Sequence, residues 1–372
     1  MRISKLNLRG FRNISDLGLE FCPGLNVLIG RNAQGKTNII EAIGLLSTAT
    51  SFRTSEFRDM IGWDFSKAEV SAEVEAADGD DVLRVTMDAS KKTFLRNGKR
   101  AMPRRSSPVK TVLFAPEEIM LLRNSPGSRR RYMDSFISQL HGPHRSDTSK
   151  YEKVLRQRNR ILGDFDTPAG RRSTLVEPWD EQLCSLGARI VASRSEWMAR
   201  LNGHIPEQYE RIAPADGGAS FDYAPHCGGE SLGDGSEAIR RTLVRRIAER
   251  RKDELARGVT LVGPHRDDLR ARIGEQAVKG FGSQGQHRSF VLALKLAEMR
   301  LVVEETGCDP ILLLDDVASE LDRDRNRQFF ATIYSGPGQA FITATALEDV
   351  RMEGGTQHIV FDVNSGQAKP RK

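Results

Sequence analysis

The sequence predicts an α/β protein in two lobes, a mixed-sheet lobe carrying a phosphate-binding loop and a mainly helical lobe inserted within it. Three stretches carry that prediction. Residues 25–37 read LNVLIGRNAQGKT, an apolar strand running into G-x-x-x-x-G-K-[ST]. From Glu117 to about Arg257 the apolar residues recur at helical spacing. Ile311-Leu-Leu-Leu314-Asp315-Asp316 is then a second buried strand, ending in two carboxylates. The sheet lobe is expected to span 1–116 and 263–372 and the helical insertion 117–262, with the Ser-x-Gly loop at 283–285 assignable to either lobe.

Ile3, Leu6 and Leu8 precede Gly10-Phe11-Arg12-Asn13, and Leu19 and Phe21 precede the Pro23-Gly24 turn. Two short strands thus bracket a tight loop and feed the strand of the phosphate loop. Arg12 can reach a nucleotide phosphate or DNA, or stand solvated on its loop. In the phosphate loop itself, glycines let the backbone curl until several N–H groups point at phosphate oxygens. Lys36 supplies a point charge for the β- and γ-phosphates, and the Thr37 hydroxyl can ligate Mg²⁺. The candidate nucleotide contacts are Gly30, Arg31, Asn32, Ala33, Gln34, Gly35, Lys36, Thr37 and Asn38. Ile39, Ile40, Ile43 and Leu46 then mark an amphipathic helix, whose N-terminus favours an anion.

Alternation at Val70, Ala72, Val74, Ala76 and again at Leu83, Val85, Met87 gives strands. Asn97-Gly98 is a hairpin signal, and Thr111–Phe114 is a further strand closed by Pro116. In the insertion, Tyr132, Met133, Phe136, Ile137 and Leu140 mark one helix, Tyr151, Val154, Leu155, Ile161 and Leu162 a second. Trp179 to Trp197 marks a longer third, and Ile239, Leu243 and Ile247 another. Residues 214–236, rich in Gly, Ala, Asp and Ser, read as a loop or linker.

The chain has 372 residues, net charge +6 and 28% charged residues, with a pI of about 9.2 and mean hydropathy of −0.45. Those values describe a soluble globular protein, and no apolar run approaches the ~20 residues of a membrane span. The N-terminus has no signal-peptide apolar region, and the four cysteines show neither metal spacing nor a paired framework, which suits a reducing cytoplasm. Excess positive charge favours a polyanionic partner. It clusters at Arg104 and Arg105, at Arg129, Arg130 and Arg131, at Arg156, Arg158 and Arg160, and between Arg240 and Lys252. Each cluster reads either as DNA-backbone contact or as a solvated face. The scarcity of aromatics in these runs argues for a duplex over a stacked single strand.

After the insertion comes Val262-Gly263-Pro264-His265-Arg266-Asp267-Asp268. His265 reads as a general base or as a buried structural histidine, and spacing does not separate the two. Leu269, Ala271 and Ile273 lead into the Gly274-Glu275 turn of a hairpin. Ser283-Gln284-Gly285 then opens an apolar helix, a second anion-binding element. In the acidic strand, Asp315 is placed to hold Mg²⁺, and Asp316 to orient the attacking water, followed by Ser319, Glu320 and Asp322. Ala340–Thr345 is a last apolar strand.

The order of phosphate loop, helical insertion, Ser-x-Gly-Gln loop, acidic strand and Ser-Glu-Leu-Asp loop resembles ABC-type ATPase heads, above all the SMC-like heads. The insertion is too short for a long coiled coil. Nearly the whole chain resembles the RecF family of bacterial recombination mediators. GFRN (10–13), IGRNAQGKTNIIEAI (29–43), SFRT (51–54), LFAPEEI (113–119), SPGSRRRYMD (125–134), YEKVLRQRN (151–159), VGPHRDDL (262–269), GSQGQ (282–286) and LLLDDVASELD (312–322) carry that resemblance.

The resemblance implies an ABC/SMC-type P-loop ATPase head of DNA repair and recombination, with ATP and Mg²⁺ as cofactors and no membrane partner. It implies an ATP-dependent homodimer that binds duplex DNA near single-strand gaps and acts with RecR and RecO to help load RecA. Ser283, Gln284 and Gly285 would meet the partner's γ-phosphate, and Arg12 and Arg53 would lie near nucleotide or DNA. Compared with transporter ATPases, the second acid is Asp316 and not Glu, and Thr343 and Thr345 occupy the region of their switch histidine. Both differences suit a slow, timer-like weak ATPase stimulated by DNA. Two other readings stand beside it, a transporter-type ATPase subunit and a DNA-binding structural clamp with vestigial hydrolysis.

Overall fold

The structure is a computed structural model, and it describes every residue except 55, 77–78, 103–106, 229–234, 318–337, 351–356 and 372. Two units are compact in themselves. The first comprises Met1–Met120, Arg211–Pro214 and Arg288–Lys372, and the second Leu121–Glu210 and Ala215–His287. The second boundary therefore falls at 287/288 and not at 262/263. The VGPHRDDL segment, its hairpin and Ser283 belong to the mainly helical unit.

The first unit has two six-stranded sheets. In one, β1 (Arg2–Phe11), β2 (Ile14–Glu20), β4 (Lys67–Glu75), β5 (Asp81–Asp88), β6 (Lys92–Arg96) and β7 (Lys99–Arg100) pair in the order β2-β1-β4-β5-β6-β7, all antiparallel. The other contains β3 (Leu25–Ile29), β8 (Thr111–Phe114), β12 (Ile311–Leu314), β13 (Ala340–Ala344), β14 (His358–Asn364) and β15 (Gln367–Pro370). Its order is β15-β14-β3-β13-β12-β8, parallel from β14 to β8 with an antiparallel edge at β15. All five residues of β3 and all four of β12 are buried, as central parallel strands require.

β1 and β2 lead into the phosphate-loop strand in sequence but lie in the other sheet. Helix α1 (Lys36–Thr48) packs against strands of both sheets, and ten of its thirteen residues are buried. It is therefore a core helix rather than the amphipathic one its spacing suggests, and its run Ile-Ile-Glu-Ala-Ile-Gly-Leu-Leu is nearly apolar all round. One hydrophobic core, including Leu6, Val70, Ile43, Leu313 and Phe341, joins both sheets to α1. Gln339 adds a polar tie: its amide accepts from the Ile3 N–H and donates to the Ile3 carbonyl, both at 2.8 Å.

In the second unit, helices α2 (Pro126–Leu140), α3 (Gly142–Leu162) and α5 (Gly235–Arg257) accompany α4 (Ala169–Ile212), 44 residues long with Pro178 and Pro206 inside it. Tyr151, Leu183, Ile190, Leu243 and Val262 belong to its core. β9 (Ala219–Ala224) lies inside the stretch read as a linker and pairs antiparallel with β10 (Asp268–Ile273), which pairs with β11 (Gln276–Ala277). Phe221 is fully buried, so the alternation Ala219, Phe221, Tyr223 outweighs the loop-like composition around it. Helix α6 (Gln284–Thr306) follows the Ser-x-Gly loop.

Candidate nucleotide-binding site

The phosphate loop leaves the C-terminal end of β3, the edge at which open α/β sheets bind ligands. Gly35 has φ 115°, a backbone angle that L side chains rarely adopt, and it turns the chain into α1. The first turn of α1 holds no acidic residue and its N-cap makes no side-chain hydrogen bond, so its leading N–H groups face the loop. Lys36 is 6% exposed, and its ammonium donates to the carbonyls of Gly30 at 2.5 Å and Arg31 at 3.0 Å. Burial pushes its pKa below the usual lysine value, while the charges of Asp316 and Asp315 pull it back up.

The acidic strand meets the loop directly. Thr37 Oγ1 donates to Asp315 Oδ1 at 3.0 Å. Thr343, on the strand between β3 and β12, donates to the same Oδ1 at 2.8 Å and accepts the Asp316 N–H at 2.8 Å. On the other side, the Asp315 N–H donates to the Phe114 carbonyl of β8 at 2.8 Å. Asp315 is buried, and Asp316 turns out of the strand with φ 51°. The two hard oxygens of Thr37 and Asp315 are the donor set a Mg²⁺ ion takes when it keeps waters and phosphate as its other ligands. Thr343 lies in the region where a transporter ATPase carries its switch histidine. Its hydroxyl bridging both acids was not legible from the apolar run that contains it.

The rim of the loop is tied elsewhere. Gln34 accepts the N–H of Ser365 at 2.8 Å through its side chain and that of Gly366 at 2.9 Å through its carbonyl. Asn38 donates to Asn13 at 2.7 Å and accepts from Arg53 at 2.8 Å. Arg31, Asn32 and Ala33 are exposed.

Arg12 and Arg53 converge on Glu41, one turn into α1 and wholly buried. Arg12 makes a bidentate pair with it, at 3.0 and 2.7 Å, and also donates to the Asp59 carbonyl at 2.7 Å. Arg53 approaches Glu41 at 3.5 Å, and Ser51 donates to it. Glu41 thus organises both arginines beside the loop, a role hidden in the helical run Ile-Ile-Glu-Ala-Ile.

Ser283 and Gln284 are exposed, in the second unit. Ser283 caps α6 in a reciprocal arrangement. Its N–H donates to Gln286 Oε1 at 3.0 Å, and the Gln286 N–H donates to Ser283 Oγ at 3.2 Å. Gly285 sits within that first turn.

The expected DNA contacts fare differently. Arg129 is 1% exposed and paired with Asp268 at 2.6 and 2.8 Å, so it cannot track a phosphate backbone. Arg130 donates to the Asp267 carbonyl at 2.7 Å, and exposed Arg131 to Ser128 at 3.0 Å. Arg158 is fully buried between Asp180 and Glu254, at 2.7 and 2.6 Å. Arg104, Arg105, Ser319, Glu320 and Asp322 lie outside the described residues.

His265 is held as a structural neutral imidazole: Tyr151 OH meets its Nδ1 at 2.7 Å and its Nε2 faces the Thr260 carbonyl at 3.2 Å. Nε2 then carries the proton and Nδ1 accepts from the tyrosine. Burial, with lesser help from Arg266 and Arg130 and against the bond to Thr260, brings its pKa down to about 4. Gly263, with φ 134°, is required here because a Cβ would stand 2.3 Å from the Tyr151 hydroxyl. Among the described residues no helix is long and apolar enough to cross a membrane.

A model of the RecF/RecN/SMC N terminal domain family matches residues 2–368. The chain is 38% identical over 371 residues to a DNA replication and repair protein RecF of Symbiobacterium thermophilum, covering 98% of this chain and 97% of that one. It is 36% identical over 375 residues to the protein of the same name from Limosilactobacillus fermentum, covering 98% of each. Among solved structures it is similar to a recombination mediator protein RecF-ATPrS in the RecFOR pathway, with TM-score 0.90, 31% identity, and 100% of this chain and 98% of that one covered. An Smc head domain from Pyrococcus furiosus, at TM-score 0.55 and 16% identity over 99% and 95% of the chains, shares the fold.

Proposed function

The chain belongs to the RecF family within the RecF/RecN/SMC N-terminal domain group, and from that premise we propose that it is an ATP-dependent DNA-binding protein of recombinational repair. The relatives are DNA replication and repair proteins, and two similar structures are RecF with ATP and RecF with ATPrS in the RecFOR pathway. The observation that carries the reading is the hydroxyl–carboxylate chain Thr37–Asp315–Thr343, which joins the phosphate loop to the acidic strand.

ATP phosphates accept from the Lys36 ammonium, in place of the Gly30 and Arg31 carbonyls, and from the leading N–H groups of α1. Thr37 and Asp315 are the residues that would hold Mg²⁺, which would supply charge neutralisation to the nucleotide phosphates. Asp316, anchored by its N–H, orients the attacking water. Ser283, Gln284 and Gly285 of a second copy close over the γ-phosphate, so ATP joins a two-fold dimer. The dimer binds duplex DNA near single-strand gaps in the cytoplasm and works with RecR and RecO toward RecA loading, and slow hydrolysis resets it.

Nucleotide titration and phosphate release, with and without gapped duplex DNA, test this. Lys36→Ala weakens ATP binding and removes hydrolysis. Asp315→Asn impairs Mg²⁺-dependent binding, whereas Asp316→Asn binds ATP and holds it unhydrolysed. Ser283→Arg binds ATP as a monomer and loses tight duplex binding. Wild-type turnover in folded Lys36→Ala overturns the site. Tight ATP binding with no turnover in the wild type leaves a structural clamp.

A further inference from the structure

The arginine run at 129–131 is mostly consumed by internal pairing, yet one helix face of the same unit keeps its positive charge open. Lys150, Lys153, Arg156 and Arg160 of α3 are all exposed, and among the described residues none of them has an ion pair. At ~100° per residue the four fall within an arc of about 120°. Tyr151, Val154, Arg158 and Leu162 form the buried side opposite. Ser146, Ser149 and Gln157 share the open arc, which contains no carboxylate and no aromatic ring. Asp147 lies outside it and is paired with Arg189 at 2.9 Å, and Glu152 borders it next to Arg156.

Cations on α5 are arranged otherwise. Arg240 pairs with Glu237 at 2.8 Å, Arg245 with Glu249 at 3.8 Å and Arg250 with Asp253 at 3.0 Å, while Arg251 pairs with Asp180. Arg241, Lys252 and Arg257 of α5 are exposed without a paired carboxylate among the described residues, but they lie interspersed among these ion pairs, whereas the α3 arc holds four open cations on one face with no carboxylate among them.

We propose that the Lys150–Arg160 face of α3 is a docking surface for the phosphate backbone of duplex DNA. It rests on the DNA-binding reading above. The cationic row is ~15 Å long at 1.5 Å per residue, long enough to meet successive phosphates. Lys and Arg neutralise phosphates, and Ser and Gln side chains add the hydrogen bonds common at the backbone. The lack of rings removes any stacking platform, so the partner is a duplex and not a splayed single strand.

The test is duplex binding by the full chain with ATP, titrated at several salt concentrations on two duplexes of unrelated sequence. A variant with Lys150, Lys153, Arg156 and Arg160 all changed to Gln loses affinity equally on both duplexes, and its log K against log[salt] slope flattens by about 4, roughly 1 per residue. Arg156→Gln alone flattens the slope by about 1. Arg240→Gln with Arg245→Gln on α5 leaves the slope unchanged. A fourfold variant that binds with wild-type affinity and slope overturns the assignment. If it does so while losing retention on a polyglutamate matrix, the face belongs to an acidic polypeptide. Wild-type protein that binds no duplex with ATP refutes the DNA reading itself, a different result from either.

Discussion

Replacing Thr343 by Val tests whether one buried hydroxyl sets both acids of the candidate site. The side chain is fully buried, and Val fills the same volume without the hydroxyl. Two hydrogen bonds vanish: the one donated to Asp315 Oδ1 and the one accepted from the Asp316 N–H, both 2.8 Å. A bond to a charged group is worth roughly 1.5–3 kcal/mol, and an orphaned buried N–H costs roughly 1–3 kcal/mol. Because the two share one atom they do not add fully, and about 3 kcal/mol is expected. For a domain of this size each kcal/mol lowers Tm by roughly 2–4 °C, giving a drop of about 6–12 °C. Asp315 keeps Thr37, but Asp316 loses the anchor of its left-handed turn. Turnover should therefore fall about 10- to 100-fold, or roughly 1.4–2.7 kcal/mol in barrier. Metal-free nucleotide binding, which uses Lys36, stays near wild type. Thr343→Ser restores most of both properties. Melting curves and single-turnover phosphate release measure these effects. A Val variant that melts within ~2 °C of wild type and hydrolyses at its rate refutes the bridging role.

Glu41→Gln removes the charge that Arg12 and Arg53 share; breaking such a buried pair costs roughly 3–5 kcal/mol, and urea unfolding should show a loss near the lower figure because Arg53 is partly exposed. Arg129→Gln should destabilise the protein by about 3 kcal/mol while Arg131→Gln changes stability by less than ~0.5 kcal/mol, a contrast read in parallel urea titrations. On acidification, His265 and Asp134 act in sequence. His265 has its folded pKa near 4, below the ordinary 6.5, so its contribution is complete above pH 6.5 and fades as pH falls toward 4. Burial pushes the Asp134 carboxyl up, but Arg194 and His144 outweigh it and hold the pKa at about 2, so that contribution is complete above about 3.8 and lost through 2. Unfolding free energies from pH 8 to 2 should therefore decline in two stages, and His265→Gln should flatten the first.

What was legible in the sequence was local. The phosphate loop and the acidic strand are contiguous runs whose chemistry is written in adjacent residues, and the structure brings Thr37 and Asp315 into hydrogen-bond contact. Periodicity identifies strands but not their partners: β1 and β2 feed the phosphate-loop strand in sequence, and nothing in the pattern says that their ladders run to each other and to β4. β9 was hidden because Gly, Asp and Ser surround a short alternation. The arginine runs misled for a related reason: whether Arg129 faces solvent depends on Asp268, 139 residues later. Glu41 and Thr343 left no signal at all, since one polar residue within a helix or an apolar strand reads the same whether it organises a site or fills a gap.

The position of β3 in its sheet also governs when the site can come into being. Its ladder neighbours are β13 and β14, so Leu25 pairs with Ala340 and His358. At roughly 5–20 residues per second, a ribosome reaches those partners on the order of tens of seconds after it has made the phosphate loop. Throughout that interval the nascent apolar strand has no ladder of its own sheet, whereas β1 can already zip to β2 and β4. The phosphate loop is thus among the first functional segments synthesised and the last to be completed. A chain interrupted anywhere before β13 makes neither ladder around β3 and lacks Thr343, the residue that bridges Asp315 and Asp316.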